Sequence, residues 1–125
     1  MAEPRVTFLR GHESINVAGE SHYQEALRAI AGDGDVRHDT EAHLIPEPEN
    51  EYDPNAVRVE IDGRKVGYLP RDLAPAWGPR LAELATRRRV GGCEATVVGP
   101  AQGTLGVFLR LPDPHDEPDG LARRL

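Results

Sequence analysis

The chain has too little cysteine and no apolar run long enough for a disulfide-stabilised or membrane-spanning protein. Its single cysteine, Cys93, cannot form an intramolecular disulfide. No stretch approaches the roughly 20 apolar residues of a membrane helix, and no charged segment followed by an apolar run resembles a secretory signal. We therefore expect a cytoplasmic protein that does not enter a membrane.

Aromatic residues are also scarce, whereas glycine and proline are abundant. With 5% aromatic residues, the core must consist mostly of Val, Leu, Ile and Ala, while 13 Gly and 11 Pro imply many turns and short elements. A chain of 125 residues has room for one domain with one core. These features predict a single domain with a mainly β (α+β) fold.

Positive charge is scarce as well, and it is unevenly distributed. The net charge of −6 argues against a protein that coats nucleic acid without selectivity, because such binding needs many contacts from Lys and Arg to phosphate. Residues 1–57 hold 4 basic and 12 acidic side chains, whereas residues 58–89 hold 8 basic and 4 acidic ones. A polyanion should prefer the second segment. The alternative is that both segments are ordinary solvated surfaces.

Hydrophobic periodicity predicts about six short strands. Alternating apolar residues indicate strands at residues 40–45, 57–61, 65–69, 94–98 and 104–111, and residues 5–9 and 15–18 also fit short strands. Asp62-Gly63 predicts a two-residue type I′ hairpin turn, because both residues tolerate the positive φ that this turn requires. In the last strand Leu105, Val107, Leu109 and Leu111 should face inward, which leaves Phe108 outside beside Arg110.

Two helical segments accompany these strands. One begins near Ser21, has Tyr23, Leu27 and Ile30 on one face, and ends at residues 32–35. The other covers residues 71–88, where we expect two prolines to break it into two pieces. Together the elements predict a small, partly open OB-like β-barrel with two helices over residues 1–112. Residues 113–125 are rich in Pro, Asp and Glu and should form a flexible C-terminal tail.

Three motifs point to a known family. Residues 50–59 read Asn-Glu-Tyr-Asp-Pro-Asn-Ala-Val-Arg-Val, residues 66–70 read Val-Gly-Tyr-Leu-Pro, and Leu73-Ala74 follows. In this order and spacing they resemble the HIRAN domain family closely, from about Val17 to Ala82 and less closely to residue 112.

The resemblance implies a modified OB-like barrel that binds single-stranded DNA. The family's best-understood members recognise a free 3′-hydroxyl end and are attached to remodelling helicases. This sequence carries no ATPase motif and no Gly-rich phosphate loop. We therefore expect a free-standing, non-enzymatic module similar to the short bacterial forms, without cofactor or metal. It would act on DNA ends in repair, replication or defence, with a DNA-processing protein as an additional candidate partner.

The first candidate DNA-binding residues are Asn50, Tyr52 and Asp53. Asn and Asp in a turn-rich loop commonly hydrogen-bond the backbone, and that structural role stays open beside the functional one. An ionised Asp only accepts hydrogen bonds, so it suits a terminal hydroxyl and repels a terminal phosphate. The Tyr52 ring could stack on a base or, alternatively, anchor the loop in the core.

A second candidate group is Ser21, His22 and Tyr23. They match the family position where aromatic residues flank the nucleotide, although Ser21 replaces the basic residue found there. Because Tyr23 shares the apolar helix face with Leu27 and Ile30, core packing is the favoured interpretation for its ring.

The remaining candidates are a cation and an aromatic residue. Arg71 follows the return strand and is the best phosphate contact, aided by Arg80 and the run at residues 87–89. The alternative for that run is a charged helix end, where cations complement the helix dipole. Phe108 is a second stacking platform because of the face it occupies. Tyr68 and Trp77 align with core positions.

Three further interpretations concern reactivity and partners. Cys93 lacks the neighbours of a nucleophile and should be an inert buried thiol. A metal-dependent nuclease using the acidic residues at 47–53 is the enzymatic alternative, but their spacing does not support it. A more serious alternative is a protein-interaction adaptor that keeps the barrel and has lost DNA binding. The net acidity and Ser21 favour that adaptor.

Overall fold

The computed structural model describes residues 4–114 as seven strands, two α-helices and one 3-10 turn. The strands are β1 (Arg5–Phe8), β2 (Glu13–Asn16), β3 (Val36–Pro46), β4 (Val57–Ile61), β5 (Arg64–Tyr68), β6 (Arg89–Gly99) and β7 (Gly106–Leu111). The helices are α1 (Gln24–Ala31) and α2 (Ala74–Thr86), and the 3-10 turn Glu20–Tyr23 leads into α1. The predicted mainly β fold with two helices is confirmed.

All seven strands belong to one sheet, in the order β2-β7-β6-β3-β4-β5. Neighbours along this path are antiparallel, whereas β1 lies beside the first residues of β6 and runs parallel to it. The two ends of the path meet at one bridge, where Ala18 and Tyr68 exchange N–H···O bonds of 2.8 and 2.9 Å. The segment after β2 and strand β5, at the two ends of this OB-like sheet, are therefore connected by one residue pair and not by a continuous ladder of hydrogen bonds.

Alternation along the strands supplies the core. The inward positions of β4, Val57, Val59 and Ile61, have no exposed surface. The inward positions of β7, Val107, Leu109 and Leu111, are buried to the same extent, as predicted, and so is Leu105 directly before the strand. Side chains from both helices join this cluster, namely Leu27, Trp77 and Leu81. Burial of this apolar surface holds the helices against the sheet.

The predicted hairpin between β4 and β5 is present. Asp62 and Gly63 have φ values of 52° and 76°, which are the positive values that a type I′ turn requires at both central positions.

The expectation that proline would divide the second helix is wrong. α2 is continuous from Ala74 to Thr86. Pro75 lies in the first turn, where backbone N–H groups have no acceptor within the helix, so its missing N–H removes no hydrogen bond. Pro79 does remove one, but Trp77 and Leu81 on either side of it are buried against the sheet. Packing thus outweighs the local penalty of the second proline.

Cys93 lies in the core on β6, as predicted. Burial raises the pKa of its thiol to about 12, and the carboxylates of Glu41 and Glu94 add to the effect. The thiol is therefore protonated at neutral pH and is a poor nucleophile.

Two further expectations concern the C-terminal tail and membrane insertion. Only the first two residues of the predicted tail, 113–125, are described, and there Arg80 donates a hydrogen bond to the Pro114 carbonyl. The remaining residues of that tail lie outside the described part of the chain. Within residues 4–114, neither helix has the length and apolar character needed to cross a bilayer.

The single bridge makes Gly67 a sensitive position. Its φ is 147°, and a Cβ there would contact the Val17 side chain and lie 2.6 Å from the Ala18 carbonyl oxygen. We expect Gly67→Ala to lower the free energy of unfolding by about 3 kcal/mol, because strain and overpacking act together at the bridge. Urea denaturation would measure the loss.

Gly63→Ala is the matched control, because Gly63 also has positive φ but a Cβ added there would have no neighbouring atom within 4 Å. It should lose only about 1 kcal/mol. Equal losses for the two variants would contradict the importance of the bridge.

Candidate nucleic-acid interface

The loop at residues 47–56, between β3 and β4, has a fixed backbone shape. The Glu47 N–H donates to the Ala56 carbonyl at 2.9 Å and closes the base of the loop. Within it, Asn50 N–H donates to the Glu47 carbonyl and Ala56 N–H to the Asp53 carbonyl, each at 3.0 Å. The loop can therefore present side chains in a defined geometry.

Asn50 and Asp53 perform the structural role that their sequence context suggested. Asn50 Oδ1 accepts the N–H groups of Tyr52 and Asp53 at 2.8 and 3.0 Å, and Asp53 Oδ1 accepts the Asn55 N–H at 2.9 Å. Among residues 4–114, the second carboxylate oxygen of Asp53 has no hydrogen-bond donor. One oxygen thus holds the turn while the other is available to a ligand.

Tyr52 extends into solvent from the tip of this loop. Its exposed fraction is 84%, so the alternative that its ring anchors the loop in the core is wrong. An exposed ring on a fixed loop has one open π-face or more, which is the requirement for stacking on a base.

A half-buried carboxylate connects the loop to the sheet. Glu47 Oε1 accepts hydrogen bonds from Asn50 Nδ2 and from the Tyr68 hydroxyl, each at 2.9 Å, and Oε2 accepts one from Arg58 at 2.8 Å. Lys65 Nζ in turn donates to the Tyr68 hydroxyl at 2.7 Å. We call these five residues, Glu47, Asn50, Arg58, Lys65 and Tyr68, the Glu47 network.

The charges of the network are mutually stabilised. Burial alone would raise the pKa of Glu47, but the hydrogen bonds from Asn50, Arg58 and Tyr68 and the charge of Lys65 outweigh it and lower that pKa. The hydrogen bond to Tyr68 raises the pKa of Lys65 against the opposing effect of burial. Both groups are therefore ionised at neutral pH.

Lys65 also links the network to the 3-10 turn. Its ammonium group lies 4.4 Å from the centre of the Tyr68 ring and 5.4 Å from the centre of the Tyr23 ring. Cation–π attraction of this kind favours a fixed position for the charge between the two rings. The structure thus brings Tyr23 and the 47–56 loop together through Lys65, Tyr68 and Glu47.

Two sequence-based interpretations are corrected by this arrangement. Tyr23 and Tyr68 are half-buried, and neither ring belongs to the core. A register shift between Val59 and Glu60 pairs Lys65 with Glu60 and Tyr68 with Arg58. This β-bulge places Lys65 and Tyr68 on the same face although they are three residues apart. Strict alternation along β5 would have put Tyr68 on the inner face with Val66. Trp77, the other aromatic residue assigned to the core, is buried as expected.

The 3-10 turn presents its other candidates to solvent. Ser21 and His22 are exposed, while the Glu20 carboxylate accepts the Val107 N–H at 2.8 Å. Burial raises the pKa of Glu20, although that hydrogen bond opposes the effect. The turn is thereby attached to β7.

Phe108 lies on the outer face of β7, as predicted, with 37% of its surface exposed. It is paired with Asn16 on one neighbouring strand and Thr96 on the other. A Cβ added at Gly106 would lie 3.7 Å from both the Phe108 ring and the Glu20 carboxylate. Phe108 and the first residue of the 3-10 turn therefore flank the same glycine.

The predicted cations are dispersed. Arg71 is exposed in the segment before α2, and no contact joins it to the Glu47 network among the described residues. Arg80 lies 5.0 Å over the Trp77 ring and donates to the Pro114 carbonyl, so its guanidinium is already engaged. Residues 87–89 follow the far end of α2.

Sequence reasoning did not assign Glu47, Arg58, Lys65 or Tyr68 to DNA binding, and it considered Glu47 only among the acids of the nuclease alternative. The alternation that places Arg58 and Glu60 on the outer face of β4 was visible in the sequence, and these two residues form an ion pair, but the ion pair of Arg58 with Glu47 depends on loop closure. A cleft of about 460 Å³ lies beside them, lined by residues 45–50 and Arg58. Within residues 4–114, no three His, Cys, Asp or Glu side chains converge on a point where a metal ion could bind.

Comparisons with known proteins point to one family. The HIRAN domain family model matches residues 11–111. A solved structure, the HIRAN domain of human HLTF, is similar with a TM-score of 0.49 and 23% identity, covering 84% of this chain and 79% of that one. No curated protein matches the chain.

The Glu47 carboxylate should make stability depend on pH. Its pKa in the folded state lies below the ordinary value of 4.5, so its contribution is complete above that value and is lost as the pH falls through the folded-state pKa. We expect Glu47→Gln to lower the free energy of unfolding by about 2 kcal/mol at pH 7 and by less at pH 3. Urea denaturation at both pH values measures the difference.

Glu49→Gln is the control, because Glu49 is an exposed acid of the same loop. It should change the unfolding free energy by less than about 0.5 kcal/mol at either pH. A Glu47→Gln effect of the same size at pH 3 and pH 7 would show that the ionised carboxylate is not what the network requires.

Proposed function

Because this chain belongs to the HIRAN family, we propose that it binds single-stranded DNA and recognises free 3′-hydroxyl ends without catalysing a reaction. The observation that carries the proposal is the 47–56 loop, which places an exposed Tyr52 ring next to an Asp53 oxygen that has no donor among the described residues. The biological setting we propose is DNA repair, replication or defence in a bacterial cytoplasm.

The end preference follows from the chemistry of Asp53. An ionised carboxylate accepts hydrogen bonds and donates none, so its free oxygen can receive the proton of a terminal 3′-hydroxyl. A terminal 3′-phosphate brings negative charge to the same place and is repelled. Asn50 supports this geometry because its Oδ1 fixes the backbone on both sides of Tyr52.

Stacking and charge complete the proposed footprint. Tyr52, His22 and Phe108 offer exposed rings, and base–aromatic stacking contributes roughly 1–3 kcal/mol per base. Lys65 provides a cation next to Tyr23 in the region where Ser21 replaces the family's basic residue. Arg71 adds an exposed charge for phosphate.

End recognition can be tested by fluorescence anisotropy with short oligonucleotides that end in a 3′-hydroxyl or a 3′-phosphate. The parent protein should bind the hydroxyl end more tightly. Asp53→Asn should largely remove the preference, because Oδ1 can still accept the Asn55 N–H while the negative charge is lost. Glu51→Gln removes the same charge from an exposed position of the loop and should keep the preference. If the parent does not distinguish the two ends, the Asp53 assignment fails.

Stacking is tested by Tyr52→Ala. We expect affinity to fall about tenfold or more, with the free energy of unfolding within about 0.5 kcal/mol of the parent, because the ring is exposed. Tyr52→Phe should retain most of the affinity. An unchanged affinity in Tyr52→Ala would remove the ring from the interface.

Arg71→Ala should weaken binding to both kinds of end alike and reduce the dependence of log affinity on log salt by about one phosphate contact. Titrations at several salt concentrations measure this slope. A loss confined to one kind of end would contradict the role of a general phosphate contact.

A protein-interaction adaptor is the second candidate function. It is favoured by the net charge of −6 and by the exposed Phe108 on the outer sheet face. Failure of the parent protein to bind either oligonucleotide at low salt would favour this candidate.

A further inference from the structure

Four arginines meet at the end of the molecule where α2 stops. They are Arg5, Arg87, Arg88 and Arg89, and we call them the Arg88 patch. The Arg5 N–H donates to the Arg88 carbonyl at 3.1 Å, and Arg5 is the register partner of Arg89 in the parallel pairing of β1 with β6. The fold therefore brings the first strand to a basic run that is distant in sequence.

Most of this positive charge is available to a ligand. Arg5, Arg87 and Arg88 are exposed. Arg87 forms a 3.0 Å ion pair with Glu83, but both side chains are more than 60% exposed, and such pairs exchange readily with water and other anions. Among residues 4–114, the guanidinium groups of Arg5 and Arg88 have no hydrogen bond or ion pair.

The backbone at Arg88 is a second, independent observation. Arg88 has φ of 58°, a left-handed conformation that only Asp62 shares among the described non-glycine residues. Its N–H donates to the Ala85 carbonyl at the end of α2, a position that glycine normally occupies. An exposed arginine gains no packing that would offset this strain. Arg87 already supplies a cation to the end of the helix dipole, so the dipole alone does not require a second one.

The patch lies at the opposite end of α2 from the point where the 47–56 loop contacts this helix. The first turns of α2 pack on that loop, since a Cβ at Gly78 would lie 2.8 Å from the Asn55 carbonyl oxygen. From Gly78 the chain advances by about 15 Å along the helix axis to Arg88. At about 3.4 Å per nucleotide, this distance corresponds to no more than about five nucleotides.

We propose that the Arg88 patch binds backbone phosphates of the same DNA strand whose 3′ end is held at the 47–56 loop. The inference rests on the proposed function and extends it, because it assigns a second contact region and a minimum strand length. Three exposed arginines beside the partly exposed Arg89, whose Nε donates to the Thr7 hydroxyl, fit a polyanion on a net acidic protein. The spacing along α2 fits a strand that continues beyond the loop.

The test compares oligonucleotides of 4 and 12 nucleotides with a free 3′-hydroxyl by fluorescence anisotropy. The parent protein should bind the 12-mer at least tenfold more tightly than the 4-mer. Arg88→Gly should lose most of that gain and bind the 4-mer as the parent does. Because glycine suits the left-handed position, its melting temperature should equal or exceed the parent's, so misfolding cannot explain the loss.

Two control variants make the result specific to charge at this place. Arg88→Lys keeps the charge and should keep most of the length-dependent gain. Arg64→Ala removes an exposed arginine from the hairpin between β4 and β5 and should bind both lengths as the parent does.

The outcomes separate the inference from the proposed function. If the 4-mer binds with hydroxyl preference but Arg88→Gly and the parent bind the 12-mer equally, the patch assignment is overturned and the proposed function stands. If the parent does not bind the 4-mer, the proposed end recognition fails. A 12-mer that then still binds and weakens in Arg88→Gly would support the patch as a phosphate site, whereas one that does not bind would overturn both.

Discussion

The half-buried carboxylate of Glu47 holds together the parts of the molecule that form the candidate interface. It accepts hydrogen bonds from the 47–56 loop, from β4 and from β5, and no other side chain among the described residues is hydrogen-bonded to all three. A carboxylate removed from water is destabilising unless hydrogen bonds and opposite charges replace its hydration. Glu47 meets this condition with Asn50, Tyr68 and Arg58, so the position of the loop is tied to the folding of the sheet.

The network also determines how aromatic and charged groups are arranged along one side of the protein. The Lys65 ammonium group lies near both the Tyr23 and the Tyr68 rings, and the Tyr68 hydroxyl donates a hydrogen bond to Glu47. In this way a chain with net negative charge holds the positive charge of Lys65 in a defined position. Arg71 and the Arg88 patch place further exposed positive charge at the two ends of α2.

The elements that the sequence predicted well are those where local and tertiary effects agree. Alternating apolar residues in β4 and β7 indicated both the strands and their buried faces, and Asp62-Gly63 indicated the turn between β4 and β5. The motif residues Asn50, Tyr52 and Asp53 were located correctly in a loop. Prediction failed where a tertiary effect opposed a local rule. Burial of Trp77 and Leu81 keeps α2 intact through Pro79, and one bulge in the β4–β5 pair turns Tyr68 out of the core.

The bridge between Ala18 and Tyr68 has a consequence for how the protein can move. One residue pair resists separation far less than a full ladder, so the junction between β5 and the segment after β2 should open at a lower free energy than the centre of the sheet. Both sides of this junction lead to the candidate interface, since Tyr68 belongs to the Glu47 network and Ala18 precedes the 3-10 turn. A ligand that contacts both Tyr23 and the 47–56 loop would therefore connect the two sides of the junction. Binding of this ligand would make opening of the junction rarer.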